Sequence, residues 1–206
     1  MGIFKDAKNY SESVIELLVS PKIFFEKTET QTTKERLKQT AAPVLIIAIL
    51  WSFLGTIILD YYGAPKTILL SFPAELIIYF IGTYTNIVSF SLILFVASLL
   101  IKTPLPPQKL ISSLIYPFTY LAIFDLVWQT AELILLAFFS LQTIKLRIIA
   151  TSIILIVKLV YSGIAISADY NLPTKKVIWL FIVSFLALTF FAIVVLVFLF
   201  RILGAL

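Results

Sequence analysis

VIWLFIVSFLALTFFAIVVLVFLF, residues 177–200, runs for 24 residues without a charged side chain. At a rise of 1.5 Å per residue a helix of that length reaches about 36 Å. About 20 apolar residues suffice to cross about 30 Å of hydrocarbon. This stretch therefore predicts a membrane-spanning helix, and four more runs of the same kind precede it. Residues 43–59 end at Asp60, Tyr61, Tyr62 and Gly63. Residues 68–101 are too long for one span, and Pro73 with Glu75 separates an expected interfacial stretch from a helix over 76–101. Residues 110–142 are also overlong, and Pro117 is the natural break between a surface segment and a span over 117–139. The fourth run in chain order, 149–167, follows Lys145 and Arg147. The prolines at 104, 106 and 107 make a stiff turn between two of these runs.

Composition agrees with that pattern. The 206 residues are 61% apolar and 13% charged, against about 45–50% and about 25% in soluble domains, and the mean hydropathy is +1.06. The expected fold is an all-α integral membrane protein: five transmembrane helices over 41–206 (about 43–59, 76–101, 117–139, 149–167 and 177–200) and a cytoplasmic amphipathic segment over 1–40. The chain has no Cys and no His. That excludes thiol nucleophiles, disulfides, imidazole-held metals and His-based proton transfer. Phosphate-cradling glycine loops are missing as well, so no enzyme activity, catalytic residue, cofactor or metal is expected.

The first 40 residues hold seven basic and six acidic side chains. Asp6, Glu12 and Glu16 interrupt any apolar run, so the segment is not read as a secretory signal. Ala7, Tyr10, Val14, Leu17 and Leu18 recur at helical spacing and predict a short amphipathic helix. Ser20 and Pro21 restart the chain as N-cap and first helical residue. Phe24 and Phe25 between Lys22 and Lys27 suit a membrane surface or a partner. Thr32 with Glu35 forms a capping box opening a helix toward Pro43. On this reading the tail is needed for function but dispensable for insertion.

Lys and Arg counts set the orientation. With the N-terminus inside, eleven basic residues lie on the inner side and four, Lys66, Lys145, Arg147 and Arg201, on the outer side. Five crossings then leave the C-terminus outside.

Charges within hydrocarbon cost about 2.5–3.5 kcal/mol each on insertion scales, and three occur here: Asp125, Glu132 and Lys158. Counted from the inner ends of their antiparallel spans, Asp125 and Lys158 reach nearly the same depth, and Asn86 falls near it. Asp125, Gln129 and Glu132 stand at i, i+4 and i+7, on one helix face. Glu75, Tyr79, Thr83, Asn86 and Ser89 form a matching stripe. Two readings follow. Asn86, Asp125, Gln129, Glu132 and Lys158 form an intramembrane relay or solute site, or the charges are structural, with Asp125 paired to Lys158 and Glu132 held by Lys145 or Arg147.

Three stretches carry a resemblance: Leu17-Leu18-Val19-Ser20-Pro21-Lys22-Ile23-Phe24-Phe25-Glu26, Ile115-Tyr116-Pro117-Phe118, and Tyr161 to Ser167 continuing through Leu172-Pro173-Thr174-Lys175-Lys176. Together with five spans and an inside N-terminus, they make the chain similar to the Ypt-interacting-protein (Yip) domain family, in a short-tailed prokaryotic form. The resemblance implies a scaffold or adaptor; in eukaryotic members it implies contact with Rab-type GTPases. The expected partners are membrane lipid and another membrane or cytoplasmic protein, with self-association open and no nucleic acid. The competing expectations are a small transporter or channel built on the polar cluster, and an accessory subunit of a larger membrane complex docked through the phenylalanines of the last span.

Overall fold

A computed structural model describes residues 2–61, 68–139 and 144–202. The described residues are helical with no strand, in eight helices: α1 Gly2–Val19, α2 Pro21–Thr28, α3 Thr33–Tyr61, α4 Ile68–Leu100, α5 Pro107–Tyr120, α6 Ala122–Phe139, α7 Ile144–Tyr170 and α8 Thr174–Ile202. Five segments are long and apolar enough to cross a membrane: Thr33–Ile58, Phe72–Leu100, Pro107–Phe138, Lys145–Tyr170 and Thr174–Val195. Tyr62 and Gly63, which close the first run, and Lys66, one of the four outer basic residues, lie outside the described residues.

The capping box is present. The Thr32 amide donates to Glu35 Oε2 at 2.7 Å, and the Glu35 amide donates to Thr32 Oγ1 at 3.3 Å. The helix it opens does not stop at Pro43. It runs on as α3, so the division expected at residue 40 falls inside one helix. Pro73 likewise lies within α4, and the interfacial stretch expected before residue 76 is part of that continuous helix. A proline removes one amide donor and crowds the preceding turn, which spanning helices tolerate. Ser20 is the N-cap of α2 with Pro21 behind it, but its side chain makes no capping bond.

The largest departure concerns residues 110–117, the expected surface segment. They belong to α5, in which Leu110 and every residue from Ser112 to Tyr120 are buried. Helix α5 packs against α3, α4 and α7. The interruption comes not at Pro117 but four residues later, at Leu121 (φ −80°, ψ −1°), where α6 begins. Both apolar cores share α5. Leu110, Leu114, Ile115 and Phe118 pack with Ile87, Leu94, Ile166 and Leu180, while Tyr116 and Tyr120 pack with the N-terminal helices.

Two helices end in the same way. Thr103 N–H reaches Ser98 C=O and Lys102 N–H reaches Leu99 C=O; Leu172 N–H reaches Ser167 C=O and Asn171 N–H reaches Ala168 C=O. With Lys102 at φ 55° and Asn171 at φ 52°, both are Schellman caps, and each precedes a proline, Pro104 or Pro173.

Four buried serines are satisfied within their own helices. Ser52, Ser91, Ser162 and Ser184 donate to the carbonyls four residues back, at 2.7 Å each. That leaves small side chains where helices meet, which lets backbones approach.

Candidate functional site

Among the described residues three charge pairs are built into the bundle, and sequence reasoning located two. The deepest was missed. Arg36 on α3 and Asp169 at the end of α7 are 1% and 2% exposed, and the guanidinium donates to both carboxylate oxygens, Nη1 to Oδ2 at 3.1 Å and Nη2 to Oδ1 at 3.3 Å. Arg36 also donates to the carbonyls of Ser112 (3.0 Å) and Thr28 (2.8 Å). Ser113 Oγ donates to Asp169 Oδ2 at 2.6 Å. The Arg36 guanidinium lies 5.5 Å from the Tyr116 ring centre, and the Tyr116 hydroxyl bonds Gln31 and Gln39. One cluster thus ties together α2, α3, α5 and α7. Its Arg is one of the seven basic residues of the first 40, and its Asp lies just beyond the expected span 149–167. The signal available was depth: Arg36 lies seven residues before Pro43 and Asp169 two after Ser167, so both belong to the same end of the bundle.

Of the predicted cluster, the structure brings Asn86, Asp125 and Lys158 together. Lys158 Nζ donates to Asp125 Oδ2 at 2.6 Å, and Tyr79 Oη donates to the same oxygen at 3.3 Å. Trp51 stacks on Tyr79 with ring centres 4.8 Å apart. These groups line a cavity of about 370 Å³ to which Asn86 and Thr83 also contribute.

Gln129 and Glu132 belong to a different place. Glu132 is buried and accepts from Arg147 Nε at 3.0 Å, one of the two basic partners expected for it. Gln129 is buried beside Glu75 at Gly55: an added Cβ on Gly55 would collide with the Glu75 carboxylate and come within 3.1 Å of Gln129 Nε2. Among the described residues, Glu75 Oε2 and Gln129 Oε1 are buried without a hydrogen-bond partner. The predicted face is real as a helical register, but α6 turns its two ends to different neighbours.

The tail residues expected at the membrane surface divide in the same manner. Lys22 is well exposed near Glu26, and Lys27 is exposed in a pair with Glu16. Phe24 (4% exposed) and Phe25 (fully buried) instead enter the bundle. The Phe24 ring meets Tyr116 edge to face at 5.2 Å, and both rings join Val14 and Leu17 against Tyr120, Leu121 and Ala165. Bundle aromatics offer them drier, closer packing than a headgroup boundary. Tyr10 Oη donates to the carbonyls of Thr119 and Tyr120 at 3.4 and 3.3 Å. Burial, followed by the neighbouring Tyr120, raises its phenol above the ordinary value and keeps it a donor. What the two helices leave outside is an apolar row: Ile15, Val19 and Ile23 are 60%, 76% and 51% exposed.

Among the described residues there is no group of three acidic side chains placed to hold a metal ion. The arrangement can therefore pair charges, hold a cavity with a charge pair in its wall and present a surface. In comparisons with known proteins, no family model, curated protein or solved structure matches the chain.

Proposed function

We propose that the chain is a membrane-embedded scaffold or adaptor of the Yip type, without catalytic activity, whose N-terminal helix pair presents a docking surface in the cytoplasm. The observation that carries this reading is the exposed row Ile15, Val19 and Ile23, edged by Glu12, Lys22 and Glu26. Apolar side chains held out from a helix pair that is itself anchored in the bundle suit a partner or a lipid surface. The resemblance across residues 17–26, 115–118 and 161–176 supports the family, and the eleven-to-four basic asymmetry supports an inside N-terminus and an outside C-terminus.

The second reading, a small transporter or channel, has one observation in its favour: the cavity that joins Asn86, Asp125 and Lys158. Against it stands the pairing of each of these charges within the chain. Cross-linking and affinity isolation from native membranes, run on the natural chain and on Val19→Glu, tests the scaffold. A stoichiometric protein partner lost in Val19→Glu supports it. Unchanged isolates from the two chains reject the row as its docking surface.

A further inference from the structure

Between α7 and α8 lies a groove of about 980 Å³. Its walls are apolar along residues 156–168 of α7 and 177–182 of α8, and α2 stands over one end with Lys22, Glu26 and, just past its last residue, Glu29. Residues 156–168 climb about 18 Å of helix, slightly more than half of a hydrocarbon core of about 30 Å. The groove is therefore charged at one end and apolar over about one leaflet.

We propose that it binds one membrane phospholipid with a primary-amine headgroup, of the phosphatidylethanolamine class, its acyl chain lying between α7 and α8 and its headgroup under α2. The charges at the mouth select that headgroup. Lys22 supplies one ammonium for a phosphate, and Glu26 and Glu29 supply two carboxylates for an amine. Lys22 and Glu26 are 3.9 Å apart and both exposed, so neither is committed to the core. With two carboxylates to one ammonium, a lipid that brings only negative charge is disfavoured. A choline headgroup brings the positive charge but no N–H to donate. The length match rests on the reading of α7 and α8 as membrane spans.

Native mass spectrometry of the full chain in detergent, with phosphatidylethanolamine, phosphatidylcholine and phosphatidylglycerol added in equal amounts, tests the proposal. One phosphatidylethanolamine should be retained several-fold more than either competitor. Val160→Trp, which fills the groove from an exposed wall position, should abolish that preference. Glu26→Gln with Glu29→Gln, at the mouth and away from the core, should lower phosphatidylethanolamine to the level of phosphatidylcholine while the thermal melt is unchanged. Equal retention of the three lipids by the natural chain overturns the proposal, as does a preference that survives the double substitution. A protein dimer lost in Val160→Trp, in place of a lipid adduct, gives the groove to a second copy and overturns it too. Failure of the membrane reading itself is seen separately, as expression of the natural chain in the soluble fraction.

Discussion

Arg36 and Asp169, 133 positions apart in the chain, form a two-point ion pair in which neither side chain is more than 2% exposed. Taking two charges out of water is costly, and the cost is recovered only when geometry and further hydrogen bonds are good. Here Ser112, Thr28 and Ser113 supply them.

Breaking this pair from one side should be severe. Arg36→Met or Asp169→Asn strands a buried group, at about 3–5 kcal/mol. The double variant should regain most of that loss. Unfolding by titration of a harsh detergent into a mild one measures all four proteins, and a double variant no better than the singles would refute the pairing.

The N-terminal helices should prove structural. With Leu17 and Phe25 fully buried, Leu17→Ala is expected to cost about 2–5 kcal/mol. Deleting residues 2–30 removes Phe24 and Phe25 as well and should leave a bundle that melts early in detergent and is readily proteolysed. This reverses the expectation that the segment keeps its apolar face for the bilayer or a partner and is dispensable for the inserted bundle. A truncation that melts with the full chain would restore it.

Asp125 and Lys158 distinguish the two functional readings. Their side chains are 25% and 13% exposed, so each single change, Asp125→Asn or Lys158→Met, should cost less than its counterpart in the Arg36 pair. If the pair is only structural, the double variant regains stability and still supports growth in a complementation assay. A stable double variant without function would favour transport.

Orientation is checked with single cysteines, for which the chain supplies no background. Cysteines at Gly2, Gln108 and Thr174 should be shielded from an impermeant thiol reagent added outside, and one at Gly63 should react. Labelling at Gln108 but not at Gly63 is the result that contradicts an inside N-terminus.

Lys102 occupies a left-handed position at the end of α4, where a side chain costs about 1 kcal/mol and glycine costs none. Lys102→Gly should therefore stabilise the chain slightly or leave it unchanged in the same detergent titration. A loss above about 1 kcal/mol would show that its ammonium has a structural partner.

The sequence by itself determined whatever depends on period, length and local bonding. Five apolar runs, the capping box at Thr32, the buried face of α1 at Val14 and Leu17, and the common depth of Asp125 and Lys158 follow from helical geometry, which relates near neighbours in a chain without knowledge of the fold. Tertiary structure alone decided what each face meets. Phe24 and Phe25 look the same in sequence whether they face lipid or Tyr116, because both surroundings are apolar; the bundle's closer packing settled it. Residues 110–117 read as a surface segment because the run from 110 to 142 is too long for one span and Pro117 offers a break, yet Ser113 bonds Lys109 within α5 and Asp169 across to α7, which makes burial affordable. Gln129 and Glu132 shared a face with Asp125, but one helix turned between several neighbours distributes that face among them. Arg36 and Asp169 were the least legible, since a charge near a membrane boundary is by default solvated, and only the meeting of α2, α3, α5 and α7 closed water out.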